Sequence, residues 1–109
     1  MAQTIKVLAQ ASPAASTLTD IYTVPALTTT VVSSIVVCNL TSTDALFRIA
    51  VAVAGAANED KQYIYDDVTV PGNDTFVATV GLTLGAGDVV RVYDTSDRLA
   101  FSLFGTENS

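Results

Sequence analysis

Few side chains in this chain could take part in chemistry, and their spacing closes most reactions to it. There is no histidine among the 109 residues and one cysteine, Cys38. A serine or cysteine nucleophile needs a neighbouring base, usually histidine, so a conventional triad has nothing to deprotonate it. The five cations, Lys6, Arg48, Lys61, Arg91 and Arg98, stand singly. Asp66-Asp67 is the obvious candidate for a carboxylate pair that shares acid and base work. Neighbours on a strand project to opposite faces, so these carboxyls diverge unless a bulge intervenes, and the pair reads as solvated protection of a strand edge.

Two acidic loops, Asn58-Glu59-Asp60 and Asp94-Thr95-Ser96-Asp97, offer oxygens to a hard cation. Neither has the ordered spacing of a hand-type calcium loop, and zinc lacks its nitrogen and sulfur ligands. No metal or cofactor site is assigned. The glycine-rich stretch 81–87 lacks the Lys-Ser/Thr of a phosphate loop and leads into a strand, so it reads as a tight crossover. Tyr63, Tyr65 and Tyr93 could form a stacking platform for a sugar or base, although tyrosine on a sheet more often packs.

The elements that must carry these residues are strands. Half the chain is hydrophobic, mainly Val, Ala, Leu and Ile interleaved with Thr and Ser, the composition of a two-faced sheet. The length suits one domain spanning 1–109. Period and punctuation give about eight strands: 5–10, 17–24, 29–40 with a bend at Ser33-Ser34, 46–53, 62–70, 74–80, 88–93 and 99–104. In the fourth, Phe47, Ile49, Val51 and Val53 share one face and Leu46, Arg48, Ala50 and Ala52 the other. Pro71-Gly72 is placed for a type II turn, and residues 94–97 for a hairpin. No stretch has helical apolar spacing free of β-branched residues. The expected fold is all-β, an antiparallel β-sandwich, jelly-roll-like in preference to an immunoglobulin-like order, which lacks its Trp and paired Cys here.

Charge and hydropathy narrow the partners. A net charge of −6 and a pI near 4.1 oppose a phosphate backbone, so direct nucleic-acid binding is not expected. The longest apolar run, 31–40, is broken by two serines and is half of the roughly 20 residues a membrane helix needs. The start of the chain shows no sustained signal-peptide core, and the expectation is a soluble protein made inside the cell. On that expectation the sequons at Asn39 and Asn73 are coincidences, and Cys38, inside an apolar run, reads as a small buried hydrophobe.

What remains is surface. Strands alternating Val/Ala with Thr/Ser give a flat, weakly charged outer face that invites a partner. Candidate interface residues are Ile5 and Val7, in a segment 1–13 that could be an arm lent to a neighbour, Ala50 and Ala52, whose small side chains admit a close backbone, and Tyr63 and Tyr65.

Six stretches carry a family resemblance: Ile5-Lys6-Val7-Leu8; Thr19-Asp20-Ile21-Tyr22-Thr23-Val24-Pro25; the run 31–39; Phe47-Arg48-Ile49; Gly87-Asp88-Val89-Val90-Arg91-Val92-Tyr93; and Phe101-Ser102-Leu103-Phe104-Gly105. Together they span most of the chain, which resembles the small β-rich virion structural proteins of tailed bacteriophages, above all those that decorate or cement a capsid. The resemblance implies a non-enzymatic protein made in the host cytoplasm and bound in many copies outside a shell of major capsid protein. It also implies self-association as a homo-oligomer, a trimer favoured. Tail and baseplate proteins look similar. In that alternative the loops near Tyr63, Tyr65 and 94–97 grip a host glycan or protein.

Overall fold

A computed structural model describes residues 2–109. Eight strands follow one another: β1 (Gln3–Ala11), β2 (Thr19–Thr23), β3 (Thr29–Asn39), β4 (Ala45–Ala52), β5 (Tyr63–Val70), β6 (Thr75–Leu84), β7 (Val89–Asp94) and β8 (Leu99–Asn108). Two single-turn 3-10 segments, Val53–Gly55 and Asp60–Gln62, lie between β4 and β5. The strands form two four-stranded antiparallel sheets, the first in the order β1-β8-β3-β6 and the second in the order β2-β7-β4-β5. The pairing is nested: first strand with last, second with seventh, third with sixth, fourth with fifth. The ribbon so formed closes into two sheets through β3·β8 and β4·β7. The all-β antiparallel sandwich expected from the alternation is the fold found.

Side-chain period places the core between the sheets. From the first sheet come Val32, Ile35, Val37, Phe101 and Leu103; from the second come Phe47, Ile49, Val90 and Val92, all fully buried. Phe47 is the hub. Its ring lies 5.1 Å from that of Phe76 and 6.0 Å edge-on from that of Phe101, so aromatic contact joins the two layers. Burying such a ring is worth about 2–3 kcal/mol in transfer free energy alone.

The bend expected in the long third strand is a bulge. Pairing of β3 with both β6 and β8 shifts register between Val32 and Ser34, and the inward set changes from Thr30 and Val32 to Ile35, Val37 and Asn39. Cys38 therefore projects outward and is half-buried, not a core residue. Three further expectations change. The stretch 81–84, read as a crossover, continues β6, because its alternation of Leu82 and Leu84 inward against Thr83 outward is that of a strand. Strand β8 runs on to Asn108, held on both sides, and Gly105 permits this: a Cβ there would strike the Val31 carbonyl. In the turn after Pro71 it is Asn73, not Gly72, that takes the left-handed conformation (φ 58), with Asp74 donating to the Pro71 carbonyl at 3.1 Å. Gly72 serves a close approach instead, since a Cβ would collide with the Ser42 backbone.

The N-terminal segment is not a detached arm. Residues 3–11 pair with β8 on both sides of a bulge at Leu8, and Ala2 and Ser109 exchange backbone hydrogen bonds. The part of the expected arm at Met1 lies outside the described residues.

Candidate functional site

The two sheets present different outer faces, and the difference follows from the register. On the second sheet the outward face carries paired charges. Arg91 Nε donates to Asp20 Oδ1 at 2.8 Å, and its other nitrogens donate to the Ala56 and Gly55 carbonyls. Arg48 Nε lies 2.7 Å from Asp67 Oδ1 and 3.2 Å from Asp66 Oδ1 while its guanidinium covers the Tyr93 ring at 4.8 Å. The hydrogen bond from Arg48 holds the Asp67 carboxyl below the usual carboxylate range. These two aspartates were expected to diverge. They converge because β5 bulges opposite Arg48, where Asp67 adopts φ 51 and the pairing with β4 slips between Phe47 and Ile49.

The outward face of the first sheet carries no charge among the described residues. Its two central strands contribute Ser102, Phe104 and Thr106 from β8 and Val31, Ser34, Val36 and Cys38 from β3. Its edges add Gln3, Ile5 and Val7 from β1 and Thr75, Val77, Thr79 and Thr83 from β6. The nearest ions turn away: Lys6 projects from the other side of β1 to meet Glu107 Oε1 at 2.9 Å, and Glu107 lies in line with the buried Thr30. In a chain of net charge −6, a four-stranded face free of carboxylates is the exception on this surface.

The candidate interface residues fall apart accordingly. Ile5, 82 % exposed, and Val7, 48 % exposed, stand on this uncharged face. Ala50 and Ala52 do not offer a close approach to a partner, because both are fully buried. They lie on the expected side of β4, paired with Arg91 and Val89, but residues 53–62 of the same chain fold back beside them, held by the Arg91 bonds to Gly55 and Ala56. Tyr65 is likewise unavailable: it packs inward, 6.0 Å from Phe47 and 5.4 Å from Phe76. Tyr63 lines a shallow polar cleft of about 490 Å³ with Arg48, Asn58, Asp60 and Asp66. The three tyrosines thus form no common platform.

The acidic loops are organised from within. Buried Asp94 accepts from the Ser96, Arg98 and Leu99 backbone amides at 2.7–2.9 Å, which builds the β7–β8 turn. Asp88 accepts from Gly85 and Ala54, both at 2.9 Å, tying the β6–β7 turn to the segment after β4. Asn39, also buried, donates to the Thr43 and Val70 carbonyls and accepts from Thr41, which leaves its sequon amide engaged in the fold.

One polar cluster went unread in the sequence. Tyr22 of β2 donates to Glu107 Oε2 of β8 at 2.6 Å, and Thr30 of β3 lies 2.8 Å from the same phenol oxygen, so a hydrogen-bonded bridge crosses between the sheets. Burial, reinforced by the carboxylate, pushes the Tyr22 phenol up to about 12. The phenol in turn, with Lys6, holds Glu107 below its ordinary value. The signal was faint: an acid in an alternating strand and a tyrosine 85 residues away.

No known protein family matches the chain, and a search of curated proteins finds no similar sequence.

Proposed function

We propose that this chain is a structural, non-catalytic module that docks through the outer face of its first sheet onto a repeating protein lattice. The lattice is the outside of a phage capsid shell, where many copies stabilise the assembly. The observation that carries this reading is the uncharged four-stranded face, apolar at its edges and at Val31, Val36 and Phe104, on an otherwise acidic molecule. A flat face of hydroxyl, Val and Phe groups desolvates cheaply and meets another protein with no unpaired charge to bury.

Topology supports the same reading. The nested pairing with sheet orders 1-8-3-6 and 2-7-4-5 is compatible with a jelly roll, two Greek keys folded together, an architecture that viral capsid proteins use. The resemblance to decoration proteins supplies the shell as the lattice and major capsid protein as the partner. The acidic second face, with its Arg48 and Arg91 ion pairs, would then point to solvent. Modest affinity per copy becomes a large stabilisation when summed over a shell. The tail or receptor-binding reading has less to stand on, because Tyr65 and the Asp94 carboxylate, which it would use, are engaged inside the fold.

The test is to mix the purified protein with capsid shells that lack it and to sediment the shells. Saturable binding at a fixed ratio to capsid subunits is expected. Binding to tail tubes or host cells and not to shells would overturn the proposal.

A further inference from the structure

The edges of the two sheets are built differently. Both edges of the second sheet are blunted against further pairing: β2 is five residues long and slips register at Asp20, and β5 carries Asp66 and Asp67 at its bulge. Short strands, bulges and charges are the means by which proteins keep edges from pairing. The edges of the first sheet lack them over a matched length. In β1, residues 3–7 form a regular run before the bulge, with Lys6 drawn off to Glu107. In β6, residues 75–79 form a regular run before the slip opposite Ser33. Neither run holds a proline or a carboxylate. Ile5, Val7 and Val77, three of the largest exposed apolar side chains on any strand, sit on these two runs, with Val77 63 % exposed.

We infer that β1 of one copy pairs antiparallel with β6 of the next, so that the first sheet runs on from molecule to molecule. Strand direction favours a second copy as the occupant. Three antiparallel steps separate β1 from β6, so these strands run oppositely. A second molecule set alongside in the same orientation brings its β6 antiparallel to β1, and the alternation continues unbroken. With Ile5 opposite Val77, Gln3 faces Thr79 and Val7 faces Thr75, and no charge is buried. Charge favours it too, since approach through the second sheet would set carboxylates of two acidic copies against each other. Two different edges meet, so the contact is head-to-tail and satisfied by ring closure, not by a two-fold dimer. The resulting ring presents one joined uncharged face, but the pairing is independent of any shell.

The experiment uses this protein alone. Light scattering on the full chain gives the mass relative to the 11.3 kDa protomer, and three or more copies are expected. In a Cys38→Ser background, Ile5→Cys and Val77→Cys proteins are prepared separately and treated with a short bis-maleimide, alone and mixed. Cross-linking in the mixture, well above either protein alone and above a Thr69→Cys control, supports the pairing. Ile5→Lys should weaken association about tenfold, and Val77→Glu on the same chain should restore it. A monomer or dimer mass, Ile5→Cys linking to itself as readily as to Val77→Cys, or cross-linking no greater than the control would each overturn the inference. Shell binding by a monomer would leave the proposed function standing while refuting this pairing.

Discussion

Removing the Tyr22 hydroxyl tests how the two sheets are held together at the β2 side. The phenol has one proton, and at 2.6 Å from Glu107 Oε2 that proton goes to the carboxylate, which leaves Thr30 to donate to the phenol oxygen. Tyr22→Phe breaks a charge-assisted bond worth about 1.5–3 kcal/mol. The Lys6 contact that survives adds less than about 1 kcal/mol, because Lys6 is half exposed. For a chain of 109 residues the unfolding entropy is roughly 0.23 kcal/mol per kelvin, so a loss near 2 kcal/mol lowers Tm by about 9 °C. A double-mutant cycle with Glu107→Gln, followed by urea unfolding at pH 7, should give a coupling above about 1 kcal/mol. The pH dependence has a fixed sign. Glu107 titrates below its unfolded value, so its stabilisation is complete above that value and disappears as pH falls through the folded one. Wild type should therefore lose more stability between about pH 5 and 3 than Glu107→Gln does. A coupling under about 0.5 kcal/mol at pH 7, or equal acid sensitivity of the two proteins, refutes the bridge.

The alkaline side gives a second expectation: with Tyr22 held at about 12, one of the four tyrosines should ionise late by ultraviolet absorbance, and stability should fall as pH rises from the unfolded value through the folded one. Gly105→Ala should cost more than about 3 kcal/mol or abolish folding, because its Cβ meets the Val31 carbonyl, whereas Gly81→Ala, with open space around it, should stay within about 0.5 kcal/mol; chemical denaturation separates them. Asp94→Asn should destabilise by about 2–4 kcal/mol despite its similar shape. Oδ1 serves one amide and Oδ2 two, so either placement of the new NH2 group opposes a donor, and calorimetry would show the loss.

How much of this could be read in advance depended on distance along the chain. Strand existence came from local alternation, and the Ser33-Ser34 bend from the one polar interruption in a long apolar run. The convergence of Asp66 and Asp67 on Arg48 was not legible, because a bulge needs a partner strand to define it, and that strand lies some 19 residues away. Ala50 and Ala52 were placed on the correct side of β4. Their cover was missed because it depends on where residues 53–62 settle, which Arg91 fixes from a remote strand. Tyr65 was hidden for a similar reason: its ring completes a cluster whose other members come from β4 and β6. The uncharged face itself was half visible, as alternating Val and Thr. That the charges collect elsewhere became evident only with the register.

The most direct test of that face is to place one charge at its centre. Ser102 lies between Gln10 and Val36 on the outer side of the first sheet, and exposed Thr69 lies on β5 of the second. Shell binding by Ser102→Glu and Thr69→Glu should be measured by sedimentation, with thermal unfolding as a check that both fold. The account predicts that Ser102→Glu weakens binding at least about tenfold while Thr69→Glu leaves it within about twofold. Equal binding by the two variants, or greater loss from Thr69→Glu, would contradict it.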